Sequence, residues 1–271
     1  MLAVKLALLP LVLLNLFVLV PRIFAVESTT TVSAVVPSTA SNTGNVRLTG
    51  YAIPSALVTF LDSGVVAGTT TCNSAGFFDK TFTSLSLGVH TFSMYASDKN
   101  GKTTLTLSVD VNVISGSTVT LSGFLLPPTI GVGKTELKRP ETQTADGYAK
   151  PSSSVTNFFN SHGTITKNPT TDSAGQWQSQ VPEIFHLGSH STNALVQDQD
   201  GAQSILSQTK AFTVVLSADL NVDNLVNLTD FSILMFSYGQ SPPPNLASDI
   251  NDNGPVDLVD FSVQMFYWTG G

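Results

Sequence analysis

The chain carries one pattern twice, and this repetition limits its fold more than any other feature. Gly50-Tyr51-Ala52-Ile53-Pro54-Ser55 returns as Gly147-Tyr148-Ala149-Lys150-Pro151-Ser152, and Asn73-Ser74-Ala75-Gly76-Phe77 as Asp172-Ser173-Ala174-Gly175-Gln176. Leu87-Gly88-Val89-His90 returns as Leu187-Gly188-Ser189-His190, and Asp98-Lys99-Asn100-Gly101 as Asp198-Gln199-Asp200-Gly201. The spacing drifts only from 97 residues (Pro54 to Pro151) to 100 (His90 to His190), so both copies must fold as the same unit.

Within each copy the side chains alternate with a period of two, as from Asn45 to Thr49, Ala56 to Phe60, Thr104 to Val109 and Ala211 to Val215. Short Thr- and Val-rich runs between Gly, Asn and Pro clusters predict antiparallel strands, and no useful stretch of 28–215 has helical periodicity. Asn100-Gly101 and Asp200-Gly201 supply the positive φ that tight hairpins require. Two β-sandwiches are expected, at 26–115 and 116–215. Over about residues 28–215 the repeated motifs resemble those of bacterial immunoglobulin-like domains, which implies a spacer or display module. The second copy is the more polar, with Lys150, Gln176 and Asn193 where the first has Ile53, Phe77 and Phe92 or Ser93.

With 271 residues, 42% hydrophobic and 11% charged, two or three domains are expected and a fully disordered chain is excluded. The net charge of -7 is unevenly placed, because residues 211–271 hold seven Asp and no Lys or Arg. No basic stripe exists to neutralise phosphates, which argues against a nucleic-acid partner.

Met1 to Val20 is an apolar run with Lys5 as its one charge, and it reads as a signal peptide cleaved after Ala25. The alternative is an uncleaved anchor with Arg22 at the interface, the only route by which this chain would meet a membrane. Either reading places the remainder outside the cytoplasm, secreted or at the cell surface. The single cysteine, Cys72, has no intramolecular partner and is expected to be a small buried strand residue.

No catalytic site emerges, and the chain is expected not to be an enzyme. His90 and His190 share a repeat position, which points to a structural role. His186 and His190, four apart, would face one way on a strand, but a metal pair there lacks a third ligand. Glu136, Glu141 and Glu183 match surface carboxylates better than a glycosidase pair, and no Gly-x-Ser-x-Gly or His-Glu-x-x-His motif occurs.

The last 53 residues carry the strongest chemical signal. Asp219, Asn221, Asp223, Asn227 and Asp230 occupy positions one, three, five, nine and twelve of a loop that leads into Phe231-Ser232 and an apolar helix. Thirty residues on, Asp249, Asn251, Asn253, Asp257 and Asp260 repeat the spacing before Phe261-Ser262. Such alternating hard oxygens suit Ca²⁺, with the position-seven carbonyls of Leu225 and Pro255 as further ligands and two ions expected in all. Position six needs a left-handed turn, which Gly254 meets readily and Asn224 less so. Six of the seven Asp after residue 210 are thereby assigned, and Asp252 is left over.

Over about residues 217–270 the tandem loops resemble a type I dockerin domain, from which the chain departs in having Asn224 instead of Gly and helices ending in Phe236, Tyr238, Phe266, Tyr267 and Trp268. The resemblance implies two calcium-loop/helix repeats and docking to a cohesin on a scaffold or cell surface, often as part of polysaccharide-degrading machinery. The family's partner-recognition positions fall on Leu228, Thr229, Leu258 and Val259. Leu228 and Leu258 would serve equally to pack one helix against the other. The fold expected overall is mainly β: two tandem Ig-like sandwiches followed by a small all-α dockerin at 216–271. An adhesin or carbohydrate-binding surface, with the dockerin as a stabilising end-cap, is the alternative function.

Overall fold

The computed structural model describes residues 31–33, 41–182 and 184–270. The expected signal peptide and Glu183 lie outside the described residues. The first sandwich is built from β1 (Thr31–Ser33), β2 (Thr43–Tyr51), β3 (Leu57–Asp62), β4 (Val65–Thr71), β5 (Phe77–Ser86), β6 (Gly88–Ser97), β7 (Leu107–Val113) and β8 (Thr118–Leu125). One sheet runs β1-β8-β2-β5 and the facing sheet β4-β3-β6-β7. Alternating side chains from both close a core around Leu48, Val58, Phe60, Phe78, Phe92 and Met94. Since β8 pairs with β2 in parallel, this sandwich runs to Leu125, past the expected boundary at 115/116.

The second sandwich comprises β9 (Gly131–Val132), β10 (Glu136–Lys138), β11 (Gln143–Tyr148), β12 (Ser154–Asn160), β13 (Thr164–Lys167), β14 (Gln176–Val181), β15 (Gly188–Gln197) and β16 (Lys210–Val215). Its sheets run β10-β16-β15-β12-β13 and β14-β11-β9, closed over Trp177, Phe159, Phe212 and Val196. Counting from the shared Gly-Tyr-Ala-x-Pro and Leu-Gly-x-His motifs, Phe60 and Phe92 become Asn157 and Thr192. Where the first core stacks aromatics, the second buries a polar chain. Ser179 Oγ donates to Asn157 Oδ1 (2.5 Å), and Asn157 Nδ2 donates to Thr192 Oγ1 (2.7 Å) and the Asn193 carbonyl (2.9 Å). Each polar side chain of this run finds a partner, as burial demands.

The repeated motifs meet one another between the sandwiches. Pro151 lies beside Gly76, and Pro54 beside Gly175, so that a Cβ added to either glycine would meet the other module's proline ring at 3.4 or 2.7 Å. Tyr148 is buried in the first core and Tyr51 packs against the second. Contacts that exchange partners in this way define a pseudo-twofold junction. Lys150 Nζ sits 4.0 Å from the Tyr51 ring centroid while pairing with Asp198 at 2.8 Å, and Thr129 Oγ1 donates to Asp98 (2.8 Å).

The C-terminal segment corrects the expected fold class. It is not a small all-α dockerin domain: the chain is nearly all β, and the described residues of 216–270 contribute only α1 (Leu228–Ser237), α2 (Leu258–Phe266) and one 3-10 turn (Leu246–Ser248). Two twelve-residue loops and the Pro242-Pro243-Pro244 run leave the rest of the segment irregular, because neither Asx-rich loops nor consecutive prolines sustain a helix. Its own small core joins Leu220, Val226, Leu234, Ile250 and Val256.

Candidate metal centre

Both loops close by similar hydrogen bonds. Asp219 accepts from the backbone N–H of Asp223 (3.1 Å) and Asn224 (2.8 Å), and Asp249 accepts from those of Asn253 (3.0 Å) and Gly254 (2.8 Å). At position twelve Asp230 accepts from Leu220, Asn221 and Asn227, and Asp260 from Asn251 and Asp257. Asn227 and Asp257, at position nine, are the N-caps of α1 and α2 and complete a capping box with those aspartates. Each loop is thus tied to the first turn of its helix.

Position six adopts the expected left-handed conformation, with φ 69° at Asn224 and 109° at Gly254. Position four does so as well, at Val222 (61°) and Asp252 (60°), which the spacing did not reveal. Leu225 and Pro255 are exposed at the loop rims.

In the first loop Asp219, Asp223 and Asp230 each offer a carboxylate oxygen within 4.8 Å of the other two. Asn221 Oδ1 faces inward enough to accept from Asp223 N (3.1 Å). An all-oxygen set with neither His nor Cys in the segment fits a hard divalent cation such as Ca²⁺. In the second loop, Asn253 stands where the first has Asp223, and Asp257 where it has Asn227, so the ligand chemistry is redistributed without changing the carboxylate count.

Both helices carry exposed apolar side chains. Leu228 and Leu258 are 67% and 66% exposed, and Phe236 and Phe266 are 74% and 82% exposed. Thr229 and Val259 are exposed too. Leu228 and Leu258 therefore do not pack helix on helix; Phe231 and Phe261 do, with ring centroids 5.9 Å apart.

The remaining candidates are engaged elsewhere. His90 Nδ1 lies 2.6 Å from Asp62, and its Nε2 lies 3.0 Å from the Ser86 carbonyl and 3.2 Å from Ser86 Oγ. The Asp62 carboxylate and the Ser86 carbonyl only accept, so these contacts favour the protonated ring. His190 Nε2 donates to the His186 carbonyl (2.8 Å), while His186 Nδ1 turns to Asp252 (2.9 Å), so these two do not form a metal pair. The ring beside His186 is that of His162, at 4.5 Å, a proximity created by chain folding that local spacing could not signal. Glu141 is held by Lys134 (2.6 Å), and Glu136 is exposed on β10. Cys72 is buried just past β4, and burial pushes its thiol up to about 11. Among the described residues no helix is long and apolar enough to cross a membrane.

No family model and no curated protein matches the chain. Among solved structures it is similar to the fibronectin(III)-like modules of Clostridium thermocellum CbhA, at 16% identity over 68% of this chain and 93% of that one, with a TM-score of 0.25. It is similar also to a tetra-tandem repeat in the extending region of a large adhesion protein, at 15% identity, 63% and 49% coverage and a TM-score of 0.29. A third is a Ca²⁺-stabilized adhesin that helps an Antarctic bacterium reach out and bind ice, at 14% identity, 70% and 55% coverage and a TM-score of 0.24. The chain spans about half the length of these last two.

Proposed function

We propose that the chain is an extracellular, non-catalytic modular protein whose paired sandwiches act as a spacer or adhesin-like display unit. Its C-terminal end binds two Ca²⁺ and docks onto a cohesin-type partner. The observation that carries the docking reading is the exposed apolar pair Leu228 and Phe236 on α1, repeated as Leu258 and Phe266 on α2. Exposed apolar side chains repeated on two helices of a segment with a small core support a binding role. Asp219, Asn221, Asp223, Asn227 and Asp230 would hold one ion, and Asp249, Asn251, Asn253, Asp257 and Asp260 the other. Bound Ca²⁺ would supply charge neutralisation within each loop, and its binding free energy would add to folding free energy.

Calorimetry of the unmodified chain with and without chelator tests the metal reading. Chelation is expected to lower the transition belonging to 217–270 and to leave that of the sandwiches in place; an unchanged C-terminal transition sinks it. Docking is tested by capture on a panel of purified cohesins. Capture by the unmodified chain and its loss in Asp230→Ala with Asp260→Ala supports docking. Calcium-independent glycan binding without cohesin capture would favour instead an adhesin whose C-terminal end is a cap.

A further inference from the structure

Asp252, the carboxylate left over from the ligand positions, leaves its loop and reaches the second sandwich. It accepts from Leu187 N (2.9 Å), lies 2.9 Å from His186 Nδ1 and pairs with Arg139 Nη1 at 3.1 Å. Arg139, 5% exposed, also donates through Nη1 to the main-chain oxygen of Asp249 (2.8 Å), the first ligand position of the same loop. Its own N–H is fixed on the Val215 carbonyl (3.1 Å), so the guanidinium reaches the loop from an anchored base. The first loop has no such support. Its position four is Val222, 45% exposed, and among the described residues its hydrogen bonds stay within residues 217–269.

From this asymmetry, and resting on the calcium reading above, we infer that the second sandwich braces the second loop. The two calcium sites are then unequal, the second being the tighter, and calcium there is linked to docking of the C-terminal segment onto the sandwich. A loop held in its closed form before binding loses less conformational freedom when the ion enters. Arg139 brings no net charge because Asp252 neutralises it, so the gain is one of preorganisation. Linkage makes the effect reciprocal: an ion that favours the braced loop also favours the clasp.

Calcium titration of the full chain by isothermal calorimetry tests this. The unmodified chain is expected to bind in two steps, the tighter lost in Asp260→Ala and kept in Asp230→Ala. The double variant Arg139→Met with Asp252→Asn has the same net charge as the original. It is expected to weaken the tighter step by about tenfold, the scale seen when partners just outside a metal's ligand shell are removed, and to leave the other step unchanged. If the double variant loses the circular dichroism of the sandwich, Asp252→Asn alone serves, with at least as large a loss because Arg139 then keeps an unpaired charge. Hydrogen exchange at the Leu187 amide reads the clasp directly and should speed up when calcium is chelated. Assignment of the tighter step to the first loop, or affinities unchanged in a variant whose Leu187 amide exchanges freely, would overturn the inference while leaving calcium binding intact. Absence of any calcium uptake by the unmodified chain would overturn the calcium reading and the brace with it.

Discussion

His90 and His190 occupy one position of the repeat yet respond to pH in opposite directions. Asp62 hydrogen-bonds to His90 and holds its pKa above the ordinary 6.5, whereas burial holds that of His190 below it. Eight residues after the shared proline, the first copy has Asp62 and the second Phe159, so His190 has no facing carboxylate on that strand and lies against Phe185 and Phe212 instead. For His90, whose folded value is raised, the stabilisation is complete below 6.5 and is lost as pH rises through the folded value. For His190, whose folded value is depressed, stabilisation is present above 6.5 and is lost as pH falls through the folded value. Titration of the two imidazole rings followed by NMR should therefore place His90 above and His190 below the ordinary value, and Asp62→Asn should lower the first. Shifts in the same direction would contradict it. A second residue-scale prediction concerns Gln264, fully buried with neither amide atom partnered, at the place where the first helix has Leu234. Gln264→Leu should raise the denaturation midpoint of the C-terminal segment, on the order of 1–3 kcal/mol for an unsatisfied buried amide; a lower midpoint would mean that the amide has a partner in solution. The repeat motifs made the position of both histidines legible, but not their chemistry. Asp62 and His90 are 28 residues apart and meet only through strand pairing, and Phe60 to Asn157 reads locally as one more strand residue.

At the scale of elements, the two loop-and-helix units were the most legible part of the chain, because Asx residues at fixed spacing ahead of an apolar run set both the turns and the helix starts. The left-handed turns at Asn224 and Gly254 and the helix starts at Leu228 and Leu258 follow from the same spacing. The expected all-α character failed for a reason of length. Helices of 10 and 9 residues lie below the size that is stable alone in water, and the sequence between them is rich in Pro and Asx. Their stability must come from packing and caps, and from Ca²⁺ on the reading proposed above. Working in chelator separates the caps from any ion. There, Asp230→Ala removes the acceptor of three backbone N–H groups, and Asp260→Ala the acceptor of two. Each should cost about 0.5–2 kcal/mol of helix stability, seen as a loss of residual far-ultraviolet helical signal, larger for Asp230→Ala. Helicity unaffected by either change in chelator would show that the carboxylates act only through the ion.

At the scale of the molecule, the repeated Gly-Tyr-Ala-x-Pro motif does more than turn the chain. Its tyrosine and proline, together with the glycine of the Asx-Ser-Ala-Gly turn, form the junction between the copies, so the residues that make the modules alike also join them. Because Tyr148 belongs to the second copy by sequence and to the first core by packing, the modules cannot be wholly independent in stability. Gln208 Nε2 adds contacts from beyond β15 to Thr103 of the first module, at 3.2 Å to both its carbonyl and its hydroxyl. Two sandwiches tied in this way should behave as one stiff unit, as a spacer requires, whereas a flexible tether would let them reorient. The decisive substitution is Tyr148→Ala. Truncating a buried aromatic typically costs about 3–5 kcal/mol, and here that cost should fall on the first sandwich although the substitution lies in the second. Scanning calorimetry of the full chain should show a merged sandwich transition that moves down as a whole, and hydrogen exchange should speed up in β2 and β6. If the first sandwich instead melts unchanged in a separate transition while only the second is weakened, the junction is a contact of convenience and the modules are independent beads.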